Sequence, residues 1–413
     1  MSDRPHRSAA LLAATLVLTA LNLRAAVTSV GALLRDMQFA LGMSDTLAGL
    51  LTALPVVAFG VFGLLTARMT RKVGPTTGLV VALVLITVGL AVRAIAPTVG
   101  WLLVTTMLSL VGIAVGNVLV PVMVKAWFPN HVGRVTGWYS MALLLGTALP
   151  ATVSVPLADL LGGWRWGLGF WALPAGLALL PWLLIFRGSG RVSAPTVDMT
   201  SEVVRDRHRA QALAARAIGR LVRGNPKTWA LAVLFGLQSL EAYVAMGWLS
   251  AIFQDAGIAA SRAGLLLGIT MVIGAPIALI VPGLAARHPD QRPWIAGMVA
   301  CSVVGYLGLL LSPGRLSLLW AVLLGVGLGA FPLALLLIGL RAVTGPGTSA
   351  LSSSVQGVGY LIAVAGPLGV GVLRDVTGSW DVPLAVLLAL LVPKLGAGLI
   401  AGKPGYVDQD VVR

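Results

Sequence analysis

The chain contains few charged residues and a single cysteine. Only 10% of its 413 residues are Asp, Glu, Lys or Arg, whereas soluble proteins carry about 25%. At the same time 58% of the residues are hydrophobic. So much apolar surface does not fit into one water-soluble core, so the lipid bilayer is the expected solvent. Cys301 allows no internal disulfide and lies in an apolar run, where we expect it to fill space.

Residues suited to enzymatic chemistry are also scarce. The sequence contains no Cys/His cluster, phosphate-binding glycine loop or nucleophile elbow. We therefore expect neither an enzyme nor a bound metal or cofactor. Without a nucleotide-binding segment, a gradient is the expected source of any energy. The four histidines all fall in predicted loops or in the N-terminal tail, at His6, His131, His208 and His288.

The apolar residues form continuous runs of about 20 residues, long enough to cross a bilayer. Backbone polar groups in lipid must be paired internally, and uninterrupted runs favour helices over the alternating strands of a barrel. The predicted fold is therefore an all-α polytopic membrane protein with twelve transmembrane helices. We number them as spans 1 to 12, predicted at 8–34, 45–67, 75–95, 100–124, 133–160, 164–186, 226–253, 262–286, 293–312, 315–343, 347–373 and 380–402.

The basic residues predict the orientation of these spans. A net charge of +15 could indicate nucleic acid, but the cations lie between apolar runs, so we expect no nucleic-acid partner. With the termini inside, the inner segments hold 21 Lys and Arg residues and the outer loops hold 6. Cytoplasmic loops are enriched in Lys and Arg, so both termini are predicted to be cytoplasmic.

A polar stretch divides the chain into two halves of six spans, over residues 1–186 and 226–413. Residues 187–225 form the predicted cytoplasmic linker. Helical spacing of its apolar residues predicts a basic amphipathic helix that either lies on anionic inner-leaflet lipid or is solvated. Its charge comes from Arg205, Arg207, Arg209, Arg216, Arg220 and Arg223.

The two halves repeat each other at a nearly constant offset. The segment GMSDTLAGLL begins at Gly42, and GIAASRAGLL begins 215 residues later at Gly257. Likewise DLLGGW begins at Asp159 and DVTGSW begins 216 residues later at Asp375. Six spans per half give both halves the same orientation, so we predict two pseudo-symmetric six-helix bundles. Transporters built from such repeats bind substrate near the membrane midplane, between the halves.

One cation stands inside the first span, in LTALNLRAAVTSVG. Arg24 lies roughly 20 Å from one end of its run and about 15 Å from the other. Burying it there costs about 2.5–3.5 kcal/mol unless water or an anion compensates its charge. Thr28 shares its helical face, which we assign to a central cavity. Two interpretations remain open: Arg24 binds an anionic substrate, or it forms an ion pair with Glu241 that locks the halves.

The repeat predicts further substrate-binding residues. It maps Arg24 onto Ser239 in span 7, which places Gln238, Glu241 and Tyr243 at a similar depth. Glu241 is the only acidic residue at membrane depth, so we also predict that it binds a coupling proton. Lys394, near the inner end of span 12, is expected to extend to the interface. The other predicted substrate contacts are Asn117, Tyr139, Gln356 and Tyr360.

Several motifs resemble one transporter family. LNLRAAVTSVGALL in span 1, GIAVGNVLVPVMVKAWFP in span 4 and SSVQGVGYLIAVAGPLGVGVLRD in span 11 are similar to the cyanate permease and 2-nitroimidazole transporter family. That family belongs to the major facilitator superfamily. The resemblance implies a twelve-helix secondary transporter of bacterial cytoplasmic membranes, working as a monomer on a small anion or heteroaromatic solute. It implies that Arg24, Lys125 and Gln356 match the family's span-1 arginine, the lysine that ends its fourth span and its span-11 glutamine.

Gating residues follow from the same resemblance. Lys125 ends span 4, either as an interfacial anchor or at an inner gate. The loop GLLTARMTRKVG after span 2 keeps Arg68 as a gating candidate, but it lacks the acidic residue usual in the superfamily.

Three functions follow from these features. The first is transport of a small, cyanate-like anion by alternating access, with Arg24 as the counter-charge. The second is export of small heteroaromatic or drug-like compounds, in which Arg24 is mainly structural. The third is a transport-inactive membrane sensor or scaffold.

Overall fold

The computed structural model describes residues 9–188 and 218–408, and within them it contains helices and no strands. Twelve segments of this described part are long and apolar enough to cross a membrane. The predicted twelve-span fold is therefore confirmed. The helices are Ala9–Asn22, Ala25–Ala32, Leu34–Leu41, Asp45–Val73, Pro75–Arg93, Val99–Trp127, Val132–Leu161, Trp164–Gly169, Ala172–Gly188, Pro226–Asp255, Ala260–Ala285, Arg292–Leu311, Ser317–Leu328, Ala330–Leu340, Gly345–Thr377 and Asp381–Gly402, with a short helical stretch at 218–224.

The predicted basic linker helix lies mostly at 189–217, outside the described residues. Its last part, 218–224, is helical. The helix of span 7 then begins at Pro226, where the Asn225 side chain accepts a hydrogen bond from the Lys227 backbone N–H at 3.0 Å. The domain boundaries at 186 and 226 stay a prediction.

Span 1 is a broken helix, and the break is at Arg24. One helix ends at Asn22 and the next begins at Ala25, and Arg24 between them has φ −128° and ψ −17°. The sequence pattern places Arg93 in an outer loop, but the structure buries it completely at the end of span 3. From there it donates hydrogen bonds to the Ala26 carbonyl at 3.0 Å and to Ser29 Oγ at 2.9 Å. Arg93 thus holds the helix that follows the break.

The two halves touch at one end of the molecule. We call the membrane face that carries residues 9 and 408 the near side, and the opposite face the far side. On the far side, a Cβ added to Gly31 would overlap the Met246 carbonyl oxygen. A Cβ on Gly49 would lie 2.8 Å from the Pro367 carbonyl oxygen. Spans of the first half therefore pack backbone to backbone against spans 7 and 11 of the second half.

Toward the near side, glycines of four central spans make no such close contact. Spans 2, 5, 8 and 11 each carry a glycine there whose added Cβ would meet no atom within 4 Å, at Gly60, Gly137, Gly283 and Gly357. The close backbone contacts at Gly31 and Gly49 therefore lie at the far side, and no such contact is made at these four glycines. Arg24 lies in the middle of span 1.

We expect Gly31→Ala to destabilise the protein, because the new methyl group would press on the Met246 carbonyl. Overpacking of this kind costs about 1–3 kcal/mol. Thermal unfolding of detergent-purified protein should therefore occur several degrees lower than in the parent. Gly297→Ala is the matched control, because Gly297 is an exposed helical glycine with open space around it. Equal unfolding temperatures for the two variants would contradict the close packing at Gly31.

Candidate functional site

Arg24 lies between the two halves, surrounded by aromatic side chains. Its guanidinium carbon is 5.5 Å from the centre of the Phe59 ring. The Tyr243 hydroxyl interacts with the same guanidinium, and Tyr360 is within electrostatic reach of both groups. Arg24 and Phe59 belong to the first half, whereas the tyrosines come from spans 7 and 11. The substrate site predicted between the halves therefore has residues from both.

The guanidinium of Arg24 has no acidic partner. Among the described residues, no carboxylate oxygen lies within 4.0 Å of it. The residue is only half-buried. A ring face and phenol oxygens compensate its charge only partly. The arrangement leaves a positive charge between the halves that no described carboxylate neutralises.

Further rings extend the aromatic lining on the second half. Phe235 meets Tyr360 edge to face, with ring centres 5.3 Å apart, and its ring centre is 5.4 Å from that of Phe331. The sequence does not single out Phe59, Phe235 or Phe331, because a phenylalanine in an apolar span looks the same whether it faces lipid, core or cavity. Only the packing of spans 2, 7, 10 and 11 brings these rings together.

Two predicted residues near Arg24 have other contacts. Thr28 is fully buried, and its hydroxyl donates to the Arg24 carbonyl at 3.4 Å, so it does not face the cavity as expected. The break at Arg24 interrupts the regular helix on which that expectation depended. Gln356 is half-buried one turn before Tyr360, and its amide donates to Ser352 Oγ at 2.7 Å.

The remaining predicted substrate contacts and the two gating candidates lie farther from Arg24 along the chain. Asn117 is half-buried, and its side chain makes no hydrogen bond within the part of the chain described. Tyr139 is half-buried beside Ser140. Lys125 is exposed at the near-side end of span 4. Arg68 lies in the helix Asp45–Val73, but its side chain is outside the described part.

Gln238 and Glu241 point away from Arg24. A helix turns about 100° per residue, so Glu241 and Tyr243 lie about 200° apart on span 7. The amide nitrogen of Gln238 donates to the carbonyls of Gly327 at 3.4 Å and Leu328 at 3.1 Å. These groups stand where span 10 breaks, between the helices Ser317–Leu328 and Ala330–Leu340. In this structure neither residue contributes to the Arg24 site, because depth alone does not fix the face of a helix.

Glu241 has a partner other than Arg24. Its carboxylate forms an ion pair with Lys394 and accepts a hydrogen bond from Ser302 Oγ at 2.6 Å. The ion pair between Arg24 and Glu241 that the sequence left open is therefore absent from this structure. Lys394 is 1% exposed, so the expectation that it extends to the interface is wrong.

Charged residues also join the halves at the far side. Asp255, at the end of span 7, forms ion pairs with Arg35 of the first half and Arg374 of span 11, the latter at 3.2 Å. Its carboxylate also accepts a hydrogen bond from the Trp380 indole at 2.8 Å. No pattern in the sequence indicates this cluster, since its members lie near the ends of separate helices and far apart in the chain.

A second far-side contact involves the start of span 2. The Asp375 carboxylate accepts hydrogen bonds from the backbone N–H groups of Asp45 at 2.8 Å and Thr46 at 2.7 Å. An acceptor at a helix N-terminus satisfies donors that lack intrahelical partners. Its repeat equivalent, Asp159, is exposed and makes no such bond to span 8 within the described residues. We call Asp255 and Asp375, together with their partners, the far-side clasp. Both of its carboxylates belong to the second half.

Known proteins share this architecture. The sequence profile of the Major Facilitator Superfamily matches residues 12–367. The chain belongs to the Major Facilitator Superfamily. It is 34% identical to the 2-nitroimidazole transporter of Escherichia coli (strain K12) over 95% of both chains. It is also 34% identical to the cyanate transport protein CynX of that organism, over 88% of this chain and 90% of the other.

Solved structures agree on the fold. A bacterial homolog of the human lysosomal transporter Spinster superposes with a TM-score of 0.75 over 97% of each chain, at 14% sequence identity. The family resemblance predicted from the motifs is confirmed. This major facilitator protein is therefore a multi-pass transporter of the inner membrane, and its family comprises transporters rather than enzymes.

We expect Asp375→Ala to open the far side more often, because it removes both hydrogen bonds to span 2. The reporter is Thr52→Cys in a Cys301→Ser background, since Thr52 is buried next to Gly247 at the far-side contact. A loss of about 1–2 kcal/mol would raise the rate of labelling by a membrane-impermeant maleimide by about 5- to 30-fold. Asp159→Ala is the matched control. An unchanged labelling rate for Asp375→Ala would show that the clasp does not hold the far side closed.

Proposed function

We propose that this transporter moves a small organic or inorganic anion by alternating access, with Arg24 as the counter-charge of the substrate. The proposal depends chiefly on one observation: a half-buried guanidinium between the halves has no carboxylate partner among the described residues. Both termini are cytoplasmic in this proposal, so the near side is the cytoplasmic side.

The chemistry of the side chain supports an anionic substrate. An arginine at the bilayer centre costs about 2.5–3.5 kcal/mol, and a bound anion offsets that cost. The guanidinium keeps its charge at all physiological pH values and binds planar anions with two parallel hydrogen bonds. Cyanate, named in one relative, is a small linear anion whose charge the same guanidinium can neutralise. Asn117, Tyr139, Gln356 and the two tyrosines near Arg24 supply the polar contacts of the proposed site.

The position of Arg24 also fits alternating access. The far-side clasp joins the two halves at one end, and in the proposed mechanism a cavity between the halves opens to the near side. Release of the clasp and closure of the near side would expose the same guanidinium to the far side. Lys125, exposed at the near-side mouth, attracts the anion there, and Arg68 is proposed to act in near-side gating. Anionic lipid binds the linker, and the protein acts as a monomer.

The aromatic rings favour a second candidate. Phe59, Tyr243 and Tyr360 surround the guanidinium with flat apolar surface that can stack on a heteroaromatic solute. The name of the 2-nitroimidazole transporter, with which the chain shares 34% identity, supports this candidate. In an exporter of such compounds Arg24 would hold the ring cluster together rather than neutralise a charge.

Transport by purified protein in liposomes tests both proposals. The labelled solutes are cyanate, nitrate, benzoate and 2-nitroimidazole, and saturable uptake or counterflow is measured for each. For an anion substrate, Arg24→Ala should abolish transport and Arg24→Lys should retain part of it, because a lysine keeps the charge but not the planar fork. Arg315→Ala is the matched control, since Arg315 is an exposed arginine outside the spans.

Each outcome favours one function. Anion transport by Arg24→Ala at the parent rate would overturn the role of Arg24 as counter-charge. Transport of 2-nitroimidazole that survives Arg24→Ala but is lost in Phe59→Leu would favour the second candidate. A lack of saturable transport for every solute, in protein that remains folded, would favour the sensor or scaffold.

A further inference from the structure

A second charged cluster lies inside the second half, away from the Arg24 site. Glu241 of span 7 is 3% exposed and Lys394 of span 12 is 1% exposed, and the two form an ion pair. Ser302 of span 9 donates to the other carboxylate oxygen at 2.6 Å. Tyr306, one turn further along span 9, is also buried within electrostatic reach of Glu241.

This cluster is separate from the substrate site. Tyr243 faces Arg24, whereas Glu241 lies about 200° around the same helix. Lys394 and Tyr306 are the titratable groups that face Glu241 among the described residues. Arg24 of span 1 and Tyr360 of span 11 face Tyr243 instead. Of the other spans packed on span 7, span 10 carries no charged residue, and span 8 carries only Arg262, at its far-side end. The helix of span 2 carries Asp45 at its far-side end and Arg68, Arg71 and Lys72 at its near-side end.

Stability alone is a weak reason for such a pair. Desolvation of two buried charges largely cancels their attraction, and apolar residues of the same volume often stabilise a protein at least as well. Ionisable residues at membrane depth are typical of proton and ion pathways. A small cavity of about 10 Å³ is lined by Glu241, Lys394 and Tyr306 together with leucines, and this volume is at the lower limit of the space that one water molecule needs.

The cluster also contacts a point where the fold can bend. A Cβ added to Gly327 would overlap Ser302 Oγ, so the hydroxyl lies directly against span 10. The carbonyl of Gly327 accepts the hydrogen bond from Gln238, one turn before Glu241 on span 7. Span 10 breaks at Gly329, two residues later. A change in the charge state of Glu241 would therefore act on the packing of spans 7, 9 and 10 at this break.

We propose that the Glu241–Lys394 pair is a proton-binding site, enclosed in the second half, that controls the conformation of the transporter. A proton from water binds a carboxylate oxygen of Glu241, while Lys394 keeps its ammonium charge. The pair changes from net zero to +1, and Lys394 loses its counter-charge. Lys394 is eight residues from the end of its helix at Gly402, about 12 Å at the helical rise, so its long side chain can turn toward the near-side interface.

The added positive charge favours an anion in the nearby cavity. If Arg24 binds an anionic substrate, as the proposed function has it, proton and anion would be transported together. That coupling rests on the proposed function. Proton binding to Glu241 does not, and it can be measured without any substrate.

Infrared difference spectroscopy of the protein in liposomes tests proton binding directly. As the pH is lowered, the parent should gain the carbonyl band of a buried protonated carboxylic acid. Glu241→Gln should lack this band, and Asp159→Asn, which alters an exposed acid, should keep it. Lys394→Met should show the band at higher pH, because the protonated acid is favoured without the neighbouring ammonium. A parent spectrum without a band that depends on Glu241 would overturn the proposal.

Distances between the halves test the conformational role. Spin labels are placed on the near-side ends of spans 5 and 8 in a Cys301→Ser background, and their separation is measured at high and low pH without substrate. The parent and Asp159→Asn should change their distance distribution with pH. Glu241→Gln and the double variant Glu241→Gln/Lys394→Met should not. Because the double variant leaves no unpaired buried charge, it separates proton sensing from a failure to fold.

A pH response that persists in the folded double variant would show that the Glu241–Lys394 pair is a structural contact and does not sense pH. The infrared and spin-label measurements need no substrate, so they remain valid if the transport assay fails for every solute. The proposal of anion transport and the proposal of proton binding can therefore fail independently. If both hold, an inward pH gradient should stimulate anion uptake by the parent but not by Glu241→Gln, which should still catalyse counterflow.

Discussion

A guanidinium that stays charged inside a bilayer must be met by water, by an anion or by an opposite charge. None of the described residues places a carboxylate beside Arg24. The structure around Arg24 must therefore accommodate an unpaired positive charge. Span 1 breaks at this residue, and Arg93 from span 3 holds the helix that follows. The Phe59 ring face of the first half and the Tyr243 hydroxyl of the second half contact the charge. The result is a charged, aromatic cluster between the two bundles.

The buried charges of the second half are paired with each other. Glu241 and Lys394 neutralise each other, and both are almost completely buried. Their position beside Ser302 links them to span 10 rather than to the central cavity. One half thus contains a positive charge without a carboxylate partner among the described residues, and the other contains a compensated ion pair. The pseudo-symmetry of the spans does not extend to their polar residues.

The same asymmetry appears at the two membrane faces. On the far side Asp255 and Asp375 bind groups of the first half, and glycines allow the backbones to touch. The loop after span 2, on the near side, has no acidic residue in GLLTARMTRKVG. Ionic contacts between the halves therefore favour closure of the far side, and opening toward it must break hydrogen bonds at the helix start of span 2. The charge distribution over the two faces biases the conformational equilibrium.

The sequence alone determined the twelve spans and the depth of Arg24, because lipid requires helices and helix length follows from the apolar run. The repeat also predicted a site between the halves, and Tyr243 and Tyr360 lie near Arg24 there. Only the tertiary structure decided which face each helix presents. Glu241 and Lys394 are 153 residues apart in the chain, and no pattern within either span indicates their pairing. Rotation of a helix about its axis is set by packing against its neighbours, so the partners of polar side chains emerge only when all spans are assembled.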